Sequence, residues 1–312
     1  MRTTTFTVAA TDDVILFVHC WLPDAAPAAV VQIAHGLAEH GGRYERLAKA
    51  LTGAGYAVYT GDHRGHGRTA RTRDELGFFA ERDGWRKCID DLRRLNNHVA
   101  ANHPGLPIAL IGHSMGSFMT QQYISEYGDT LAGAVLAGSA GRPPALATAV
   151  RVVARIERLR LGPRGTSKLI NALTFGTYNK HFEPSRTPFD WLSRDDAEVR
   201  KYAADPLCAF PVSVQMSIDV LDALANLASP SLQARTPKHL PIYIIAGTRD
   251  PVSEGTRSLT QLLAAYHAAG LTRVTHRFYP EARHELFNET NREEVTRDLL
   301  AWLSRVLGRG NC

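Results

Sequence analysis

The sequence is poor in the features that define several protein classes. Only four of its 312 residues are cysteines, Cys20, Cys88, Cys208 and Cys312, and no two of them form a CxxC pair. Because a disulfide framework needs several cysteines at regular spacings, we expect no disulfide scaffold. No uncharged apolar stretch approaches the roughly 18 residues that a membrane-spanning helix requires.

Charge of one sign and low-complexity segments are also scarce. Lysine and arginine number 36 against 31 aspartates and glutamates, so the net charge of +5 is small and diffuse. This balance gives little reason to expect a nucleic-acid partner. The N-terminus lacks the charged segment and long apolar segment of a secretion signal. With 44% hydrophobic residues, we expect a globular protein of the cytoplasm with a sizeable core.

Strand-like and helix-like patterns alternate along most of the chain. Short aliphatic runs typical of buried strands occur at residues 14–21, 30–33, 57–59, 108–111, 134–136, 242–245 and 274–278. Amphipathic patterns typical of helices lie between them, at residues 44–51, 85–101, 117–127, 256–269 and 293–307. This alternation predicts an α/β fold, in which helices cover both faces of a mostly parallel sheet.

The alternation is interrupted once, over residues 142–231. Proline and charge increase there, and helical patterns follow one another without an obvious strand. We predict a helical cap inserted between two parts of one core, residues 1–141 and 232–312. A separate C-terminal domain is the weaker alternative, because the later strands need earlier strands to pair with.

One short motif predicts a nucleophile. Gly112-His113-Ser114-Met115-Gly116 matches the pattern G-x-S-x-G, in which a serine stands on a strained turn with its hydroxyl exposed. The pattern alone is weak, but a strand-like run leads into it and a helical pattern leads out, as the turn requires. We therefore predict that Ser114 is the nucleophile, with an ordinary turn serine as the alternative.

A serine nucleophile needs a base, and the base needs an acid that orients it. In this kind of α/β protein the acid and then the histidine follow the serine along the chain. His267 lies in a helical pattern and His276 in a strand, whereas His284 follows the last strand. Asp250 lies in the turn that ends the preceding strand, at residues 242–245, and should lie at the same sheet edge as Ser114. We predict His284 as base and Asp250 as acid, although an aspartate before proline also suits a simple turn.

The tetrahedral intermediate of acyl transfer needs two backbone N–H donors. One is expected from Met115, the residue after the nucleophile, and the other from the loop after the strand at residues 30–33. In that loop Gly36 allows the backbone to turn close to the site, so we predict that Leu37 donates. His35 precedes the nucleophile in the chain and is expected to brace the loop rather than act in catalysis.

Two other polar groups favour a structural interpretation. The segment Gly61-Asp62-His63-Arg64-Gly65-His66-Gly67 lacks the Gly-Lys-Ser/Thr of a phosphate loop and the spacing of a helical metal site. We predict a structural turn beneath the active site, and neither a metal nor a cofactor. Asp90 and Asp91 lie in a helical pattern rich in arginine and lysine, and we expect both to be solvated.

The predicted cap contains a basic amphipathic pattern over residues 150–161. Apolar residues at 149, 152, 153 and 156 share one face, and Arg151, Arg155 and Arg158 share another. Such a helix either covers the core with a solvated outer face or rests on an anionic membrane. We favour the first interpretation and keep peripheral membrane contact as the alternative.

The cap also has more apolar surface than a short connection needs. Its side chains can pack on the core, line a pocket for an acyl chain or face a lipid interface, and the nine concerned are Ala145, Leu146, Val150, Val153, Ile156, Leu169, Ile170, Leu173 and Phe175.

Motifs spread over nearly the whole chain occur together in one known family. They are His35-Gly36-Leu37-Ala38-Glu39-His40 with Arg43-Tyr44, the segment 61–67, the serine motif, Gly247-Thr248-Arg249-Asp250, Ala282-Arg283-His284-Glu285 and, in the cap, Ser193-Arg194-Asp195, Tyr202 and Asp205-Pro206-Leu207. This combination resembles the α/β-hydrolase family of monoacylglycerol lipases and lysophospholipases. Ala38 stands where members often have glycine, but Gly36 remains.

The resemblance implies an eight-stranded α/β-hydrolase core, a helical cap and a catalytic triad of Ser114, Asp250 and His284. It also implies a cofactor-independent serine hydrolase that cleaves carboxylic esters of single-chain lipids, such as a monoacylglycerol or a lysophospholipid. Two alternatives stay open. The same fold could act on another bond, as a peptidase, thioesterase or perhydrolase, or the chain could bind lipid without turnover.

Overall fold

A single sheet of eight strands forms the centre of the protein. The computed structural model describes residues 1–143 and 146–308. The strands are β1 (Arg2–Ala9), β2 (Ile15–Leu22), β3 (Ala29–Ala34), β4 (Tyr56–Gly61), β5 (Ile108–His113), β6 (Gly133–Ala137), β7 (Ile242–Gly247) and β8 (Val274–Tyr279). They lie in the order β1-β2-β4-β3-β5-β6-β7-β8. β2 is antiparallel to β1 and β4, and all later pairs are parallel. The predicted mostly parallel α/β fold is confirmed.

Ten α-helices are seen in the described part of the chain. They are α1 (Glu45–Gly53), α2 (Gly84–Asn102), α3 (Met115–Tyr127), α4 (Leu146–Leu161), α5 (Lys168–Thr174), α6 (Asp196–Ala204), α7 (Val214–Leu227), α8 (Pro230–Gln233), α9 (Arg257–Ala268) and α10 (Arg292–Leu307). Short 3-10 helices lie at Gly41–Tyr44, Arg73–Glu75, Gly128–Thr130, Tyr178–Phe182, Asp190–Leu192 and Leu286–Asn288.

The sheet separates two apolar layers. Successive side chains of a strand point to opposite faces, so Ile108 and Leu110 of β5 pack with α2, α3 and α9, whereas Ala109 and Ile111 pack with α1 and α10. β3, β5, β6 and β7 are buried along their whole length. Burial on both faces explains why these strands read as continuous aliphatic runs in the sequence.

Strand β1 was not predicted from the sequence. Its residues RTTTFTVA include four threonines, and most of its side chains are exposed. Only Phe6 and Val8 pack against the core, while the ladder with β2 supplies the backbone partners. An edge strand of this kind lacks the apolar pattern that identifies buried strands.

The prediction that Asp91 is solvated is wrong. Its side chain is buried and receives two hydrogen bonds from the buried guanidinium of Arg64, at 2.5 Å from Nε and 3.0 Å from Nη2. Asp90, one residue earlier on α2, pairs with Arg86 nearer the surface. The buried ion pair anchors the turn at residues 61–67 to α2.

Two further structural facts concern membrane spans and thiols. None of the helices that the structure describes is long and apolar enough to cross a membrane. Cys20, Cys88 and Cys208 are buried free thiols, and Cys312 lies outside the described residues.

The topology brings four loops to one edge of the sheet. β3, β5, β7 and β8 are parallel, so the segments that follow them emerge at the same side. These segments carry Gly36, Ser114, Asp250 and His284 in turn. Helices α4 to α8 lie between β6 and β7 and have small apolar clusters of their own. The division of residues 142–231 from the core as a cap stays a prediction.

Candidate active site

Ser114 stands on a strained turn between β5 and α3. Its φ of 51° and ψ of −121° place it in a region that residues with a side chain rarely adopt. The turn is tight enough to require glycine on both sides. A Cβ atom at Gly112 would lie 2.3 Å from the carbonyl oxygen of Gly116, and one at Gly116 would lie 2.1 Å from that of Ala34. The predicted strand, turn and helix around the serine are therefore present.

His284 and Asp250 form a buried pair. The Nδ1 atom of His284 lies 3.0 Å from both carboxylate oxygens of Asp250, and neither side chain is more than 2% exposed. Val252 donates its backbone N–H to Asp250 Oδ1 at 2.9 Å, which holds the carboxylate in place. With Nδ1 bound to Asp250, the Nε2 atom of His284 is the nitrogen left for a reacting group. Ser114 and His284 line the same cavity.

The side chain of His35, at the start of the loop after β3, bonds to the turn that follows β4. Its Nε2 atom accepts the backbone N–H of His63 at 3.0 Å, and the two rings lie 4.1 Å apart. Burial, together with the nearby His63 and His66, holds the pKa of His35 well below its usual range. A neutral, buried imidazole supports the loop without titrating near neutral pH. Gly36 and Leu37, the next residues, line the cavity beside Met115.

Glu39 is the centre of a network that the sequence analysis did not assign. Its Oε1 atom accepts the N–H of Gly36 at 2.6 Å, the hydroxyl of Tyr44 at 2.9 Å and Nδ1 of His113 at 3.1 Å. Its Oε2 atom accepts Nη1 of Arg43 at 2.5 Å. Burial alone would raise the pKa of Glu39, but Arg43 and His113 hold it well below its usual range.

Arg43 extends this network to the histidine loop. Its guanidinium makes a bidentate pair with Glu285, with both distances at 2.7 Å. Glu285 directly follows His284, so one arginine links the loop of Gly36 to the loop of His284. The sequence signal was the resemblance itself, which included Glu39, Arg43 and Glu285 without a role for any of them.

Comparison with known proteins identifies the family. The profile of the family described as serine aminopeptidase, S33, matches residues 25–291. The chain belongs to this hydrolase family.

Curated relatives of this hydrolase include lipases. It is 31% identical over 291 residues to the monoacylglycerol lipase of Mycolicibacterium smegmatis, covering 91% of the chain and 90% of the relative. It is 29% identical to human monoglyceride lipase, covering 90% and 86%. The crystal structure of a thermostable carboxyl esterase from Bacillus coagulans in complex with glycerol superposes with a TM-score of 0.91 at 26% identity, covering 98% and 99%. The predicted resemblance and the α/β-hydrolase fold are confirmed.

A cavity of about 750 Å³ connects the candidate active site of the hydrolase to the helices between β6 and β7. Ser114, Met115 and His284 lie in its wall on the side of the sheet. The opposite wall is largely apolar, and it includes Val150, Ile170, Leu173, Phe175, Leu221 and Leu224. Ala145 and the side chain of Leu146, which we expected to add apolar surface here, lie outside the described residues.

The segment around Trp191 contacts His284 directly. The indole ring lies 4.9 Å from the His284 ring, which has the His113 ring at the same distance. The backbone N–H of Glu285 donates to Leu192 O at 2.7 Å. The sequence analysis did not identify Trp191, since nothing in its local pattern points to a histidine 93 residues away.

The prediction that α4 turns an apolar face to the core is wrong for Val152 and Ile156, whereas Arg155 is 49% exposed as a solvated face requires. Arg151 and Arg155 both bond to Asp222 of α7, and Arg158 bonds to Gln215 of the same helix. Several other outward-facing positions are held by apolar side chains. Val152 is 56%, Ile156 59% and Leu159 86% exposed, whereas Val150 and Ala154 are buried. The reason is the polar surface of α7, which attracts the basic face inward.

Groups that could hold a metal ion are separate from this site. Within the described residues, they are His19, His40, Asp62, Asp205 and Cys208. Ser114, His284 and Asp250 are not among them.

Proposed function

We propose that the hydrolase is a serine esterase or lipase that cleaves single-chain lipid esters, such as a monoacylglycerol or a lysophospholipid, through an acyl-enzyme. One observation carries the proposal. The strained Ser114 and His284, which is paired with the buried Asp250, line one largely apolar cavity of about 750 Å³. The lipase names of the relatives and the esterase structure support it.

The proposed reaction uses the triad in two steps. Ser114 Oγ attacks the ester carbonyl while His284 Nε2 accepts its proton, and Asp250 keeps the imidazole in the required tautomer. The backbone N–H groups of Leu37 and Met115 stabilise the negative oxygen of the tetrahedral intermediate. His284 then protonates the leaving alcohol. Water repeats the sequence on the acyl-enzyme and releases the fatty acid.

The lining of the cavity supports an apolar acyl group. Each methylene that leaves water for such a wall contributes up to about 0.8 kcal/mol, which is about fourfold in specificity. We expect kcat/KM to rise with chain length until the cavity is full and then to level off. A panel of p-nitrophenyl esters of increasing length measures this, and a flat profile contradicts the acyl pocket.

The preference for the head group and for the bond cleaved is tested with the same enzyme. A monoacylglycerol, a lysophospholipid, a thioester and an aminoacyl amide are compared by kcat/KM. We expect the two lipids to exceed the amide by several orders of magnitude. Faster cleavage of the amide would favour the peptidase alternative, and labelling by a fluorophosphonate without turnover of any substrate would favour a lipid-binding protein.

Peripheral membrane contact through α4 is part of the proposal. Val152, Ile156 and Leu159 recur at the spacing of one helical face and are all more than half exposed, and Leu169 of α5 is 50% exposed. Exposed apolar faces of this kind suit insertion into a lipid interface. We expect the Val152→Ser, Ile156→Ser, Leu159→Ser variant to lose co-sedimentation with anionic vesicles while it keeps activity on a short soluble ester. Unchanged sedimentation contradicts the contact.

A further inference from the structure

Two histidines and a carboxylate converge at the carboxyl edge of the sheet, beside the loop of Gly36. His19 lies on β2, Asp62 follows β4 and His40 follows the loop of Gly36. Strands β2 and β4 pair with His19 opposite Thr60, which brings Asp62 beside the imidazole. Each of the three side chains offers one ligand atom, and these atoms all lie within 4.8 Å of one another.

The imidazole of His19 has an unused nitrogen. Its Nε2 atom is buried, and no group in the described part of the chain hydrogen-bonds to it. The nearest charged atom is Asp62 Oδ1 at 3.6 Å, which is longer than a hydrogen bond. A buried nitrogen without a partner is costly, so this atom is expected to serve a ligand.

His40 and Asp62 are oriented by their surroundings. Nε2 of His40 donates to Asp205 Oδ2 at 3.0 Å, so the lone pair of His40 is at Nδ1. That nitrogen accepts the N–H of Gly42 at 3.2 Å, a bond that a metal ion at Nδ1 would replace. A histidine that donates one nitrogen to a carboxylate and offers the other is the usual arrangement around a protein-bound metal.

Asp62 is fully buried and equally well positioned. Its Oδ1 atom accepts the backbone N–H of Gly41 at 2.8 Å, and its Oδ2 atom accepts that of Arg68 at 2.7 Å. These bonds hold the carboxylate ionised and fixed, with lone pairs to spare. Asp62 and Asp205 together carry the charge that balances a divalent cation.

We propose that His19, His40 and Asp62 bind one divalent transition-metal ion of the zinc class, with water at the fourth position. Two imidazoles and one carboxylate suit zinc rather than magnesium or calcium, which prefer oxygen ligands. A neighbouring set, His40 with Asp205 and Cys208, shares one histidine. There His40 and Asp205 already satisfy each other, so the structure favours the set that contains the unpartnered His19.

Metal binding would connect three elements. His40 lies three residues after Leu37, and the ion would tie it to β2 and to the end of β4. The ion would not contact Ser114 or His284. We therefore expect zinc to raise the thermal unfolding temperature of the whole protein.

The test is zinc binding by the full-length protein against a competing chromophoric chelator. We expect one tight ion per chain. His19→Gln and His40→Gln should each weaken binding by at least about 100-fold, and Asp205→Asn, which removes the outer carboxylate, by about 10-fold. The control is His276→Gln, at an exposed histidine of β8, which should bind as the parent does.

Two results would overturn the proposal. One is parental affinity in both folded variants, His19→Gln and His40→Gln, with folding checked by circular dichroism. The other is a thiolate-to-metal charge-transfer band on cobalt substitution that disappears in Cys208→Ser, since it would place the ion in the neighbouring set. Loss of binding in the two histidine variants without such a band supports the site.

Discussion

Residues 183–213 and residues 146–182 both lie between β6 and β7, yet they are held in different ways. The first segment is joined to the core by directional polar contacts. Arg194 pairs with Glu289 at 2.9 Å, Arg292 pairs with Asp195 at 2.7 Å, and Trp191 packs on His284. Hydrogen bonds and ion pairs depend steeply on distance and angle, so they keep the segment in one position.

The second segment is held against α7, by the arginines of α4 and by apolar packing together. Ala154 of α4 and Ile170 of α5 form a small cluster with Val214 and Ile218 of α7. Hydrophobic contacts are non-directional and tolerate repacking. We infer that residues 183–213 keep His284 in place, whereas the position of residues 146–182 depends on α7.

The largest expected effect is on kcat, from a change at Ser114 in the cavity wall. Ser114→Ala removes the proposed nucleophile and should lower kcat by about 10⁶-fold. Ser217→Ala is the matched control, because Ser217 lines the same cavity from α7 and donates only to Ser213 O. Its kcat should stay within a few-fold of the parent. Kinetics on a short ester measure both, and near-normal turnover by folded Ser114→Ala would end the assignment.

Two aspartates, one near each region, sharpen the comparison. Asp250→Asn should favour the wrong tautomer of His284 and lower kcat by about 10⁴-fold. Asp222→Asn only breaks the contacts of α7 with Arg151 and Arg155, which are partly exposed. It should cost at most about 1 kcal/mol of unfolding free energy and leave kcat on a short ester nearly unchanged. A larger loss of kcat in Asp222→Asn would show that the acid is misassigned.

A smaller effect on kcat is expected from a change at Glu39, which positions the loop of Gly36 and does not itself react. Glu39→Gln weakens the hydrogen bond that the N–H of Gly36 donates to this side chain. It also leaves Arg43 with one carboxylate partner fewer. Because loss of an oxyanion donor costs about 10² to 10³ in kcat, a misplaced donor should cost about 10- to 100-fold. KM should change little. Glu45→Gln, at an exposed glutamate of α1, is the control, and a change confined to KM would refute the positioning role.

The smallest effect concerns stability where α7 meets α2. Asp219 Oδ2 is buried there, and no described group hydrogen-bonds to it. Burial raises the pKa of Asp219 to about 6, whereas an aspartate in an unfolded chain titrates near 3.9. The folded state binds the extra proton between these values. Its stability should therefore fall as pH rises from about 4 to about 6.

Asp219→Asn removes the cost of ionising a buried carboxylate at this position. We expect it to gain on the order of 1 kcal/mol in unfolding free energy at pH 7, after allowance for partial solvent screening, and to lose that gain below about pH 4. Urea unfolding at several pH values measures the difference. The control is Asp129→Asn, because the carboxylate of Asp129 is 80% exposed, and it should follow the parent. If the unfolding free energy changes with pH at the same slope in all three proteins, the effect is disproved.

Prediction from sequence succeeded where the signal is local. The strand at residues 108–111, the glycines around Ser114 and the helix after it lie within twenty residues of one another. They were found because apolar periodicity and steric limits act between neighbours in the chain. The order of strands and helices predicted that Asp250 and His284 follow strands at one sheet edge, and the pair is present in the structure.

Prediction from sequence failed where a residue's role depends on a partner far away in the chain. Glu39 bonds to His113, 74 residues away, and Arg43 bonds to Glu285, 242 residues away. Asp91 is buried because Arg64 reaches it from another loop. No pattern within a window of one helix contains these partners.

By itself, the sequence determined the alternating α/β architecture, the serine turn and the family of this hydrolase. Burial on both sides of the sheet imposes continuous apolar runs, and the sharp turn admits only glycine at positions 112 and 116, two residues before and after Ser114. Only the tertiary structure decided which face of α4 is exposed, which carboxylates are buried and how the histidine loop is held. The reason is that these properties are set by the polar and apolar surfaces that other elements present, and folding alone brings those surfaces together.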